Sequence, residues 1–183
     1  MPKQERAFVT RAAIIEAAAT TFTEMSYTDA RLSHVIDRTA VGKGALYFHF
    51  PSKHELARAV LLEGRDQLTE LAERVLDSDA EPRAVIASLM DETASLVAST
   101  RVVSASLKLS VQSPLEFPDD RIDPGEPWGR SIRPVLDRAN AGHLEAILIA
   151  TLIGEIQICT ARGDVSALTE RVNSATRTLL AGD

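Results

Sequence analysis

One cysteine, Cys159, occurs in 183 residues, which excludes an internal disulfide; set in the apolar segment 153–160, the thiol reads as a buried structural group. No run approaches the roughly 18 to 20 apolar residues of a membrane span, and Met1-Pro2-Lys3-Gln4-Glu5-Arg6 lacks the apolar stretch of a signal peptide. No membrane partner is implied, and the cytoplasm is the expected location. An excess of positive charge is missing too: the net charge of −6 rules out a chain that coats nucleic acid along its whole length, so any nucleic-acid contact has to be local. There is no strand-like alternation, internal repeat or low-complexity tract, and the expected fold is therefore all-α. Neither a His-Glu-x-x-His spacing nor a glycine-rich phosphate loop occurs. His49, His54 with Glu55, and His143 are the potential acid, base or metal groups that remain, and they form no such pattern, so no enzyme, metal or cofactor is expected.

What is present is apolar content and an uneven charge. With 45% hydrophobic residues the chain can bury one or two compact cores. Up to Arg58 there are 8 Lys and Arg against 6 Asp and Glu, and thereafter 12 against 20, so basic character gathers at one end. It is sharpest between Arg31 and Lys53, where Arg31, Arg38, Lys43 and Lys53 face Asp37 alone. A short basic island on an acidic chain fits a DNA-reading module joined to something else.

The apolar periodicity predicts a first helix over 8–25 with Phe8, Ala12, Ile15, Ala18, Ala19 and Phe22 inward. A second, shorter helix carries Leu32, Val35 and Ile36 to about 39, Ala40-Val41-Gly42 interrupts it, and a third runs over 43–48. Pro51-Ser52-Lys53 then opens a long fourth helix toward 75. Further helices are expected over 82–100, 102–111, 128–138, 144–160 and 165–180. The stretch 113–127, with Pro114, Pro118, Pro124 and Pro127, reads as an irregular connection. The 144–160 segment is apolar nearly all round, which demands burial on several sides, by its own domain and by a partner subunit.

Two short helices joined by a tight turn, the second basic and aromatic, form the geometry that sets a helix end into the DNA major groove. Val35, Val41 and Leu46 can pack the pair. Lys43, Tyr47, His49 and Lys53 supply charges and hydroxyls, while Gly44 and Ala45 let the backbone approach base edges. The string Val41-Gly42-Lys43-Gly44-Ala45-Leu46-Tyr47-Phe48-His49-Phe50-Pro51-Ser52-Lys53 closely resembles the recognition helix and following turn of the TetR family of repressors. With Lys3-Gln4-Glu5-Arg6-Ala7, Thr10-Arg11 and Ile14-Ile15-Glu16-Ala17-Ala18, it is most similar to the γ-butyrolactone autoregulator receptors of that family. The N-terminal resemblance covers about a third of the chain.

The resemblance implies an N-terminal three-helix DNA-binding domain, 1–52, and a C-terminal helical ligand-binding and dimerisation domain, 53–183. It makes Lys43, Gly44, Tyr47, His49 and Lys53 DNA contacts, with Lys43 and Gly44 nearest the bases and Tyr47 and His49 on phosphates. Several positions depart from the family pattern. Ser26 and Ala40 stand where glycines are usual, and Gly42 replaces a Ser or Thr at the start of the recognition helix. Arg31 and His34 replace the Thr and Glu of a capping box, a loss of about 0.5 to 2 kcal/mol that also puts two potential cations near DNA.

For the C-terminal half, Trp128 matches the tryptophan that lines the ligand cavity in butyrolactone receptors, where an indole suits a lactone or butenolide. Leu89, Thr93, Val97, Val103, Leu107, Ile153 and Gln157 are its candidate companions, each equally readable as core. The resemblance further implies a homodimer through the last two helices, two recognition helices reading a pseudo-palindromic operator, and release of that double-stranded DNA when a small hydrophobic signalling molecule binds. A sensor of an antibiotic or other hydrophobic drug, and an orphan repressor without a ligand, are the other readings.

Overall fold

The computed structural model describes residues 3–113, 116–117 and 126–181, with side chains from residue 4 and, in the last stretch, from residue 132. Among the described residues the regular structure is helical throughout: α1 Lys3–Glu24, α2 Leu32–Ile36, α3 Lys43–His49, α4 Lys53–Leu76, α5 Pro82–Ser99, α6 Arg101–Gln112, α7 Glu126–Arg138, α8 Glu145–Arg162 and α9 Leu168–Ala181. The all-α expectation holds.

Local chemistry sets the ends. Ser52 Oγ accepts the Glu55 amide at 3.1 Å and starts α4, with Glu55 at the position of a capping-box acid. The Glu81 carboxylate accepts the Ala84 amide at 3.1 Å and Pro82 occupies the first position of α5. Gly163, at φ 67°, ends α8 in the left-handed region while the Asp164 amide reaches the Cys159 carbonyl at 3.0 Å, a closure that glycine makes without steric cost.

The helices form two compact units. The first gathers the described residues up to Arg65 with those from Arg101 to Phe117; the second holds Asp66–Thr100 and the described residues from 126 onward. The first unit thus extends past the expected boundary at 52. The reason is α6, which packs along α1 and adds Val102, Ala105, Leu109 and then Phe117 to a core of Ile14, Ala18, Phe22, Val35, Leu46, Leu56 and Leu61. A Cβ on Gly64 would lie 2.4 Å from Cβ of Ser106, so α4 and α6 touch with no room for a side chain. Ser106 Oγ donates to the Leu61 carbonyl at 2.9 Å across that contact.

In the second unit α5 packs on α7 and α9, and α8 lies on α9. Leu89, Met90, Ala94 and Val97 of α5 are buried with Ile132 and Leu136 of α7, Leu148 and Leu152 of α8 and Leu168 and Val172 of α9. Cys159 is buried as expected, and burial raises its thiol pKa.

Three expectations need correction. Phe8 is 73% exposed and Ala12 is exposed as well, because α1 acquires a buried face only from Ile14 onward, where α2, α3 and α6 meet it. Pro127 lies inside the first turn of α7 rather than in a connection, a position that needs no donor; Pro114, Pro118 and Pro124 lie outside the described residues. Finally, Gly142–Arg162 is long and apolar enough to cross a membrane by length and composition, with mean hydropathy 1.6. Its carboxylates argue for protein packing instead, since Glu145 pairs with Arg133 and Glu155 with Arg171 at 2.5 Å.

Candidate nucleic-acid interface

The interface is built on the crossing of α2 and α3. Val35 and Leu46 are buried between them, with Leu32, Ile36 and Val41 packed against the same core. The connection is held by Thr39, whose Oγ1 accepts the Val41 amide at 3.2 Å. Gly42 is extended at φ −68° and ψ 153°, and its carbonyl accepts the amides of Ala45 at 3.0 Å and Leu46 at 3.1 Å. Glycine therefore serves as a cap through its backbone.

The start of α2 keeps half of its cap. Arg31 has only donors on its side chain and cannot cap, but His34 reaches back so that Nδ1 accepts the Arg31 amide at 3.3 Å. The loss expected from replacing Thr and Glu is accordingly partial. Arg38 is exposed but engaged along the surface, donating to the His34 carbonyl at 3.2 Å and pairing with Glu24, which offsets its charge in the island.

The outward face of α3 presents the expected residues together. Gly42, Lys43, Gly44 and Tyr47 are exposed, as is Arg31, while His34, Ala45 and His49 are half-buried. Nothing lies within 4 Å of a Cβ built on Gly44, so internal packing does not require a glycine there. Lys43 Nζ stands 5.9 Å from the Tyr47 ring centroid. Phe48, which the residue-type argument passed over, is the most exposed large apolar side chain described, at 81%. Its outward direction was legible: Leu46 and Phe50 are the inward pair at i and i+4, and a residue midway between them points away.

Lys53 is half-buried and bonded within the protein. Its ammonium donates to the carbonyls of Tyr27 at 2.8 Å and Thr28 at 3.4 Å and sits 4.3 Å from the Tyr27 ring centroid. It ties the α1–α2 connection to the start of α4. Tyr27 continues into an aromatic column with Phe22 at 6.1 Å and Phe117 at 5.2 Å, and His54 stacks on Phe117 at 4.9 Å while Nε2 meets the Glu116 carbonyl at 3.0 Å. Burial, then the Glu116 carboxylate, raises the Tyr27 phenol pKa. Lys108 of α6, its pKa lowered by burial, donates to the carbonyls of Thr23 at 2.9 Å and Met25 at 3.0 Å and so caps the end of α1.

The expected ligand-lining residues divide between the units. Leu89, Thr93 and Val97 are buried on α5 and Ile153 and Gln157 are half-buried on α8, all in the second unit; Val103 and Leu107 are buried on α6 in the first. The side chain of Trp128 lies outside the described residues, although its backbone belongs to α7. Thr93 is fully buried, and its Oγ1, like that of Thr176 on α9, has no hydrogen-bond partner among the described residues. Helical threonines elsewhere bond back one turn, Thr21 to Ala17 at 2.8 Å and Thr178 to Ser174 at 3.0 Å. A groove of about 400 Å³ in the second unit is lined instead by Arg74, Val75, Ser78, Val85, Ser88 and Glu92, with Arg74 and Glu92 paired at 2.8 Å, and takes in none of the expected residues.

Residues 14–60 match the family described as bacterial regulatory proteins, tetR family. The chain is 46% identical over 63 residues to the A-factor receptor protein of Streptomyces griseus, a match spanning 34% of this chain and 23% of that protein. Among solved structures, the tylp protein, a TetR regulator of Streptomyces fradiae, is 29% identical with a TM-score of 0.64, covering 98% of this chain and 81% of that one. A gamma-butyrolactone receptor described as ArpA-like is 25% identical with a TM-score of 0.71, covering 93% and 98%.

Proposed function

Because the chain belongs to the TetR family of bacterial regulatory proteins, we propose that it is a homodimeric transcriptional repressor released from its operator by a small γ-butyrolactone or butenolide. The observation that carries this reading is the outward face of α3, where Lys43, Gly44 and Tyr47 lie exposed on a helix anchored from behind by Leu46 and Val35. Tyr47 and His49 supply phosphate contacts that position the helix, while Lys43 and Gly44 lie nearest the base edges that select the sequence.

The ligand class comes from the relatives. The hydroxyl of Thr93, without a partner among the described residues, supports it, since such a buried donor suits the polar edge of an otherwise apolar molecule. The homodimer is supported by α8, on which Ile147, Ala150 and Ile158 remain exposed and Gly154 has nothing within 4 Å of a Cβ position. A second copy of α8 would cover that stripe and set two recognition helices about one helical turn, roughly 34 Å, apart on the operator.

The test is a gel shift of the purified protein against the intergenic DNA upstream of its own coding sequence, at fixed salt, with and without a butyrolactone or butenolide extract. A sequence-specific shift abolished by the extract is expected. A shift insensitive to every lactone would leave a repressor without this ligand class, and no specific shift at low salt would overturn the repressor reading.

A further inference from the structure

Phe48 is 81% exposed in the last turn of a seven-residue helix whose single buried residue is Leu46. Its neighbours on the outer surface are polar or cationic: Lys43, Tyr47 at 43% exposure, and His49, whose ring meets that of Phe48 edge-on at 5.3 Å and 83°. Side chains on a helix lean toward its N-terminus over the residue four earlier. For Phe48 that residue is Gly44, which contributes no side chain and has open space beside it. The ring therefore has a clear flank toward the N-terminal end of α3, the end that a recognition helix directs at base edges.

We infer that Phe48 is a specificity-determining residue that reads the methyl group of a thymine in each operator half-site. This rests on the DNA-binding reading above and goes further by assigning a base. The one apolar group of appreciable size at the base edges of the major groove is the C5-methyl of thymine, set among hydrogen-bond donors and acceptors. A phenyl ring on the helix that carries Lys43, Tyr47 and His49 can be held against the duplex by those residues and gains a contact only where that methyl is present. The charge around it favours DNA over an apolar protein partner as the occupant of this face.

The experiment uses the full chain and a duplex selected by the protein from a randomised pool. Each thymine of that duplex is replaced in turn by deoxyuridine, which removes only the methyl group. For the parent protein one thymine per half-site should stand out, its replacement weakening binding about fourfold, as expected for one buried methyl. Phe48→Ala should bind the unmodified duplex about fourfold or more weakly and be indifferent to the same replacement. Phe48→Leu should keep part of the discrimination. Phe48 is on the surface, so both variants should unfold at the parent temperature. A Phe48→Ala protein that still loses affinity on that replacement, or a parent that selects a sequence yet senses no thymine methyl, would overturn the assignment. A parent that selects no sequence at all would instead bring down the DNA-binding reading on which it rests.

Discussion

Two helices, α3 in the first unit and α8 in the second, leave apolar surface in water, and they do so in opposite company. On α3 the exposed Phe48 and Tyr47 stand among Lys43, Arg31 and the half-buried His34 and His49. On α8 the exposed Ile147 and Ile158 lie along a stripe with Ala150 and Gly154, in a helix whose carboxylates are taken up by Arg133 and Arg171. A cationic rim calls for a polyanion, whereas a neutral apolar stripe with an open glycine at its middle calls for another helix at close range. The same quantity, exposed hydrophobic area, therefore points to different partners once its surroundings are read.

The largest expected effect comes from breaking the neutral surface. Gly154→Arg would plant a long cation at the centre of the α8 stripe, where a Cβ on Gly154 meets nothing within 4 Å. The variant should sediment as a monomer and lose operator affinity by about 100-fold or more, because two linked half-site contacts become independent. Retention of the dimer would remove α8 as the pairing surface. Lys43→Ala should act in the reverse sense, leaving the sedimenting species unchanged while weakening DNA binding about tenfold and relaxing the preference at one base pair of each half-site. A preference unchanged at every position would mean that the Lys43 ammonium meets no base edge.

Much of the first surface was legible because its signal is local. The run 41–53 specifies a turn, a helix and its outward residues within one stretch of chain, and α3 forms over Lys43–His49, close to the span expected. The internal bonds of Lys53 were not legible, for the converse reason. As a residue type it belongs to the cationic island, and only the folded chain brings the carbonyls of Tyr27 and Thr28 to its ammonium. Lys108 is a stronger case, since the carbonyls it caps lie 85 and 83 residues away in sequence. The ligand-facing set was the least legible part. Periodicity marks Leu89, Thr93 and Val97 as inward without distinguishing core from cavity lining, and an unpaired hydroxyl becomes visible only when its neighbours are in place.

The smallest effect separates structure from recognition at His34. Nδ1 of this residue accepts the Arg31 amide at 3.3 Å and replaces half of a capping box; that role needs an imidazole unprotonated at Nδ1 and leaves Nε2 directed elsewhere. His34→Ala should cost about 0.5 kcal/mol in a denaturant titration, at the low end for a cap because the Arg31 side chain never contributed. His34→Glu should recover that stability, since a carboxylate at the third helical position accepts the same amide and favours the positive end of the helix. If His34 only builds the helix, the glutamate variant should also bind DNA as the parent does. If Nε2 meets a phosphate, the glutamate variant should be as stable as the parent yet bind the operator more weakly than the alanine one, because it sets a negative charge where the imidazole had offered a donor.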